Sequence, residues 1–460
     1  MLNEKNSGEI MYKLIKKLFP ICRSITGNGT RKTLEIISKE ISIQTFEIPS
    51  NTRVFDWTIP NEWNITDAYI KNKNGIKIID FKNSNLHVLN YSSPIKKTLT
   101  LKELKPHIFT DPEHPDVTPY RTSYYHENWG FCMPHNDFLN LEDEMYEILI
   151  DSTLKKGSLS YGEFFVKGKS SEEIIFSCYI CHPSMCNDSL SGIALVTQLA
   201  TYIKNLKNQT NYSYRFLFIP ETIGSITWLS LNRNNLKKIK HGLILTCVGD
   251  SGNFTYKKTR KENTEIDQTV IDVLKDSTIK HKIIDFFPTG SDERQFCSPG
   301  INLEVGCFTR SIFGEFPEYH TSADNLDFIK PKFLNDSFEI LKKVIHKLEN
   351  NHGKSTVKPQ SKPKKFSNNT EKVYLNLSPY CEPQLGKRMI YHNTGGFMKD
   401  ILDKEKFSDQ QINDEALLWI LSYSDGFHSI NDISHISKIN LEILKNAANI
   451  LEEKKLLKLI

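Results

Sequence analysis

The amino-acid sequence predicts an α/β protein: a mostly parallel mixed sheet flanked by helices, with a small inserted β-rich domain and a C-terminal winged-helix module. Three observations predict it. Between residues 160 and 348, apolar strand-like runs alternate with stretches of helical period, the pattern of a parallel sheet with crossover helices. Residues 56–139 break that rhythm with short strands and a loop rich in proline, histidine and aromatic side chains. Beyond a polar, lysine-rich stretch, residues 373–460 carry three short helical patterns, the spacing of a helix-turn-helix unit.

Each element can be justified in turn. Residues 8–19 and 30–41 place apolar side chains at helical spacing, split by the turn-rich run SITGNGT. Residues 43–48 (IQTFEI) alternate as a strand. In the insert, GIKIIDF and LHVLNY read as strands ahead of the aromatic loop. The core strands are expected at 173–180, 214–220, 242–248 and 301–306, and the core helices at 191–206, 263–275 and 332–349. Residues 1–55 and 140–350 thus form one discontinuous α/β domain around the insert at 56–139. Residues 351–372, polar and nearly free of apolar side chains, read as a linker. In the last module one helix closes at a glycine and another follows an asparagine cap.

Composition narrows the function classes. A chain of 460 residues, 38% hydrophobic and 25% charged, is an ordinary globular protein of two or three domains. A net charge of +4 gives no electrostatic case for a nucleic-acid or membrane partner. The first residues lack the apolar core of a secretion signal, and no apolar run reaches membrane-spanning length. A cytoplasmic protein is expected, with self-association into a homo-oligomer left open. Nine cysteines without framework spacing predict no disulfides. The Cys178/Cys181 pair reads as buried strand thiols, because no second pair completes a structural zinc site.

The chemistry gathers where open α/β sheets bind ligands, at the carboxyl ends of the strands. The first core strand leads into Cys181–Gly192, with His182 and Asp188; the second into Glu221; the third into Asp250. Later come Asp292, Glu293 and Arg294, then Tyr319, His320 and Asp324. Singly, each has a plain structural role: a histidine satisfied within the fold, an aspartate capping a helix, a loop carboxylate. Asp292 reads equally as a turn cap or as an anchor for a substrate amine. Together, imidazoles and carboxylates at successive strand ends are the donors a catalytic Zn²⁺ takes.

The segment HPSMCNDSLSGIAL resembles the metal-binding segment of the co-catalytic zinc aminopeptidases, and SDERQFCSPGINLE followed by EYHTSADNLDFI resembles their later motif run. More closely, the whole chain resembles a group of bacterial aminopeptidase-like proteins. These carry an inserted β-rich domain and a C-terminal winged helix and are often linked with surface-polysaccharide gene clusters; CRSITG at residues 22–27 fits that group. The resemblance implies a zinc-aminopeptidase-like fold binding one or two zinc ions. Asp188 would bridge two ions or hold one. His182 and Asp250 would complete one position, Glu221 and His320 the other. Tyr319 would stabilise an oxyanion, and Asp324 would orient His320.

One departure leaves alternatives open. Those aminopeptidases carry two adjacent glutamates, a base and a ligand, whereas this chain has Pro220-Glu221-Thr222. Either Glu221 is a ligand and the base is another carboxylate such as Glu293 or Glu315, or Glu221 is the base of a one-metal site. The expected activity is hydrolysis of an amide bond in a small peptide or aminoacyl substrate, by metal-activated water with carboxylate proton transfer. The alternatives are a degenerate binding protein and an amidase or deacylase acting on an amino-sugar precursor. Asp292, Arg294 and Arg121 are candidate substrate contacts, with Tyr124 and Trp129 as further cleft-wall candidates. The final helix mixes Glu with Lys and lacks the basic face of a DNA reader, so docking or oligomerisation is expected of the C-terminal module.

Overall fold

A computed structural model describes residues 7–206, 209–354, 372–390 and 409–460. Most of the expected linker lies outside the described residues. The framework is an eight-stranded mixed sheet in the order Gln44–Pro49, Ser158–Val166, Ser213–Ile219, Glu173–Tyr179, Ile239–Leu245, Val305–Thr309, Phe254–Lys257, His281–Ile284. The four central strands are mutually parallel. Every residue of Glu173–Tyr179 is buried, which is why that strand reads as an apolar run and not as an alternation.

Helices cover both faces. Ser7–Leu18, Gly192–Asn205, Glu265–Lys275 and Pro331–Asn351 close one face over a core that includes Leu14, Leu199, Val270 and Leu341. On the other face, Trp228 and Phe296 pack with Trp57 and Trp63. Gly192 lets its helix approach the sheet: a Cβ there would lie 2.2 Å from the Leu245 carbonyl oxygen.

Some elements differ from the sequence expectation. The strand expected at 301–306 is Val305–Thr309, because Asn302 is left-handed and turns the chain just before it. The strand Ser158–Val166 has no clean alternation, since Gly162 stands where a side chain would strike Leu34 and Ile43. The insert forms an antiparallel sheet in the order Lys77–Asp80, Glu62–Lys71, Met145–Lys155, Ile95–Thr100. Met145–Lys155 pairs along Glu62–Lys71, so this sheet runs past the expected boundary at 139. LHVLNY is not a strand; it holds a short 3-10 turn and isolated bridges to Phe131 and Thr122.

The C-terminal unit packs Asp409–Tyr423, Ile430–Ser437 and Leu441–Glu453 against a sheet ordered Asp425–Ser429, Val373–Asn376, Leu457–Leu459. Between Val373–Asn376 and Arg388 the chain straps this unit to the rest. Cys381 N donates to Ser298 Oγ at 2.9 Å, Trp57 Nε1 to the Glu382 carbonyl at 2.8 Å, and Arg388 to both Asp56 oxygens at 2.6 and 2.9 Å. The nine cysteines are free thiols. Among the described residues, no helix is long and apolar enough to cross a membrane.

Candidate metal centre

The loop that follows Glu173–Tyr179 delivers His182 and Asp188. It is pinned from the N-terminal segment: Arg23, fully buried, donates Nε to the His182 carbonyl at 2.9 Å and Nη1 to the Leu18 carbonyl at 2.6 Å. Ser184 Oγ donates to the Phe19 carbonyl at 2.8 Å. Asp188 is no helix cap; the turn Cys186–Ser191 and the helix after it have no side-chain cap. Its backbone is held instead by Asp324, which accepts the N–H groups of Asn187 and Asp188 at 2.6 and 2.8 Å. Burial pushes the Asp324 carboxyl up to about 8 against the pull of those two donors. Asp188 Oδ1 accepts the Tyr179 hydroxyl, which in turn accepts Thr246 Oγ1 at 2.7 Å.

His320 arrives from the loop after Val305–Thr309 with a left-handed backbone, φ 54°, a strained state for a non-glycine residue. The insert fixes it there. Tyr120 N donates to the His320 carbonyl at 2.7 Å, and Thr118 and Ser322 exchange two hydrogen bonds. The His320 ring stacks on Tyr319 with centroids 3.9 Å apart. The Tyr120 ring lies 5.2 Å from His182 and 5.3 Å from His320.

One ligand atom each from His182, Asp188 and His320 lies within 4.8 Å of the others, and all three residues are buried. Asp188 Oδ2 sits 3.0 Å from His320 Nε2 and 3.9 Å from His182 Nε2. That oxygen is buried between the two imidazole nitrogens. Two imidazoles and one carboxylate around such an oxygen fit a zinc ion with one position left open. Burial pulls the His182 imidazole down to about 4, so it is neutral and able to ligate. Burial pushes Asp188 up, but the two imidazoles and the Tyr179 phenol outweigh it and hold the carboxyl below its ordinary range.

The other expected residues are placed as follows. Glu221, partly exposed, also faces His182, Oε2 to Nε2 3.7 Å, in a second group with Cys181. Burial and the neighbouring charges of Asp292 and Asp188 push its carboxyl well up. Asp250 is not brought into either group. Its oxygens accept Asn187 Nδ2 and Ser311 Oγ, each at 2.7 Å, and Gly252 N. Asp292 Oδ1 accepts Thr222 N at 2.7 Å, and Arg294 Nη2 donates to Thr222 Oγ1 at 3.0 Å. Both therefore brace the Glu221 loop; burial pushes Asp292 up to about 7. Glu293 pairs with the buried Lys257 ammonium at 2.5 Å, and Glu315 lies 3.8 Å from Lys282. Arg121 is buried in the insert with Nη1 on the Tyr120 carbonyl at 3.0 Å, and Trp129 stacks on His107 at 3.6 Å. From the aromatic loop it is Tyr120 that packs on the His182 and His320 rings, with Tyr124 behind it, hydroxyl to hydroxyl 2.9 Å.

A mixed α/β sheet with such donors at the carboxyl ends of its parallel strands is the aminopeptidase fold. The solved structures bear this out: a zinc aminopeptidase from Bacillus subtilis matches with TM-score 0.56 at 11% identity, over 78% of this chain and 97% of that one. A peptidase M28 precursor from Shewanella amazonensis matches with TM-score 0.56 at 13% identity, over 78% and 97%. The chain belongs to the family described as a domain of unknown function, DUF4910, whose model matches residues 12–351. A winged helix-turn-helix model matches residues 372–459. A candidate polysaccharide biosynthesis protein with aminopeptidase-like domain, from Clostridium acetobutylicum, is 50% identical over 458 residues, 100% of this chain and 98% of that protein. The crystal structure of a candidate peptidase from Clostridium acetobutylicum is 49% identical, with TM-score 0.74 over 99% and 98% of the two chains.

Proposed function

We propose that the chain is a zinc-dependent hydrolase of the aminopeptidase type, cleaving an amide bond with one ion held by His182, Asp188 and His320. The observation that carries the reading is the buried Asp188 Oδ2, flanked by the Nε2 atoms of His320 at 3.0 Å and His182 at 3.9 Å. A single ion is favoured because the donors a second would need are engaged: Asp188 Oδ1 by Tyr179, Asp250 by Asn187 and Ser311. An ion bound there supplies Lewis acidity, polarising an amide carbonyl and acidifying water.

The chain's own groups supply the proton handling. Glu221 is the base: its Oε2 lies 3.7 Å from His182 Nε2, where a carboxylate can take a proton from water and return it to the leaving nitrogen. Glu293 is committed to Lys257. The Tyr319 phenol, held flat on His320, is the donor for the developing oxyanion. Asp292 and Arg294 act through Thr222, keeping Glu221 aimed at the cleft. The winged-helix unit docks through its strap and does not read DNA. The exposed face of Leu441–Glu453 presents Glu442, Glu452 and Glu453 beside Lys445, the wrong charge for phosphates.

The test is metal analysis of chain purified without chelator, beside a screen of aminoacyl amides and N-acyl amino sugars. About one zinc per chain is expected, lost in His182→Ala and in His320→Ala. A metal-free wild type, or full zinc in both variants, overturns the reading. Turnover of the acyl sugars alone would move the substrate from a peptide to an amino-sugar amide, in line with the polysaccharide-biosynthesis name of the Clostridium relative.

A further inference from the structure

His182 has two ring nitrogens, and only one can serve a metal. Nε2 faces Asp188 and Glu221, at 3.9 and 3.7 Å. Nδ1 faces the sulfur of the preceding residue, Cys181 Sγ, at 3.4 Å. A neutral imidazole carries one N–H. If Nε2 is to offer a lone pair to a metal, the proton must sit on Nδ1 and needs an acceptor there. Metal-binding histidines usually find a carboxylate or carbonyl for this purpose; here the partner is a thiol. The same sulfur accepts the backbone N–H of Glu221 at 3.3 Å.

We propose that Cys181 is a positioning residue for the centre: its Sγ accepts Nδ1–H of His182, which turns the Nε2 lone pair toward Asp188, and accepts N–H of Glu221, which ties ligand and base to one atom. The proposal rests on the zinc-binding reading given above. Its physical sense lies in the surrounding charge. Glu221 and Asp188 already stand 3.7 and 3.9 Å from His182 Nε2, with Asp292 beside them on Thr222 N. A carboxylate behind His182 would add another negative charge to these, whereas a neutral thiol sets the tautomer and adds none. Cys181 is itself buried, 1% exposed. Its position fits the task, two residues past the end of Glu173–Tyr179, where the chain crosses from sheet to loop. Cys178, three residues earlier, directs its sulfur to the Leu217 carbonyl inside the sheet and has no such part.

The test is the zinc affinity of the full chain, measured by competition with a chromophoric chelator, in wild type, Cys181→Val, Cys181→Ala and Cys181→Ser. Valine keeps the volume and removes the acceptor; serine loses volume and keeps it. A packing role ranks valine above serine, and a tautomer role ranks serine above valine. We expect zinc binding to weaken about 10–100-fold in the valine and alanine variants and to stay near wild type with serine. If the valine variant does not fold, the alanine–serine comparison carries the same contrast. The cobalt-substituted wild type should lack a thiolate-to-cobalt charge-transfer band. Equal affinity in all variants overturns the proposal, as does a charge-transfer band that disappears in Cys181→Ser, since the sulfur would then be a direct ligand. A folded wild type that binds no zinc is a different failure: it removes the zinc reading itself, and this proposal with it.

Discussion

Replacing Asp250 with asparagine separates a one-ion centre from a two-ion centre. In the structure Asp250 Oδ1 serves Ser311 Oγ and Gly252 N, while Oδ2 accepts Asn187 Nδ2. Asparagine keeps one oxygen for Ser311 and Gly252, but its amide nitrogen then faces Asn187 Nδ2, donor against donor. One hydrogen bond to a charged acceptor is lost, worth ~1.5–3 kcal/mol. For an α/β unit of this size, a loss of ~2 kcal/mol lowers the unfolding midpoint by about 3–4 °C. Metal content should not change, because Asp250 touches no member of the His182–Asp188–His320 group. Zinc at a hundredfold its Kd should still add about 2.7 kcal/mol of stability to the variant. The assay is thermal unfolding with and without buffered zinc, beside a metal count after dialysis, with His320→Ala as the variant expected to lose the zinc increment. A wild-type count near two that falls to one in Asp250→Asn would refute the reasoning.

Three further outcomes follow from contacts away from the centre. Arg31 holds Glu62 at 2.6 Å across the seam between helix Asn28–Glu40 and the insert, and pulls its carboxyl down to about 2 against burial. A carboxyl depressed by folding contributes stability above its unfolded value of ~4.3, and that contribution is lost as pH falls from ~5 toward ~2; Glu62→Gln should flatten the acid limb of a stability–pH curve, and an unchanged limb contradicts the pairing. Lys257 is buried against Glu293, with Phe287 3.6 Å away, so Glu293→Gln strands a buried ammonium and should cost ~3–5 kcal/mol, read as a lower urea midpoint at constant slope. Asp56 gathers Gln384 N and the side chains of Lys387 and Arg388; Asp56→Ala should speed amide exchange across residues 381–388 while leaving zinc content intact, and unaltered exchange there would show that other contacts hold the strap.

The parts of the fold legible in the sequence are those whose burial leaves a local pattern. Glu173–Tyr179 and Ser213–Ile219 are apolar runs because both faces of the sheet are covered. Met145–Lys155 lies beyond the boundary the sequence suggests at 139 because its partner, Glu62–Lys71, is remote in sequence, and no local periodicity records a remote pairing. The same division runs through the candidate site. His182, Asp188, Glu221 and His320 stand in polar runs next to strand ends, a local signal. Arg23 and Cys181 act on His182 through one backbone carbonyl and one ring nitrogen, and nothing in their spacing announces it. Tyr179 carried a faint sign, a hydroxyl at the carboxyl end of the otherwise apolar EIIFSCY. Tyr120 sat in a loop marked by composition alone, beside the arginine that was the more conspicuous candidate.

The missing second glutamate gains meaning beside the hydrogen-bond network around Asp250. After Glu221, the base proposed above, stands Thr222, in a left-handed conformation with φ 61°, its N–H on Asp292 and its hydroxyl on Arg294. Immediately before Asp188 stands Asn187, which spends its side chain on Asp250 Oδ2 and on Gly249 N. Thr222 is a neutral anchor held by two hydrogen bonds, and Asn187 keeps the Asp250 carboxylate engaged. Restoring one carboxylate should therefore not restore a second ion: Thr222→Glu, even if it folds, would meet an Asp250 already saturated by Asn187 and Ser311. The zinc count of Thr222→Glu should stay near one, and a count of two would show that the Asp250 network yields to a competing metal.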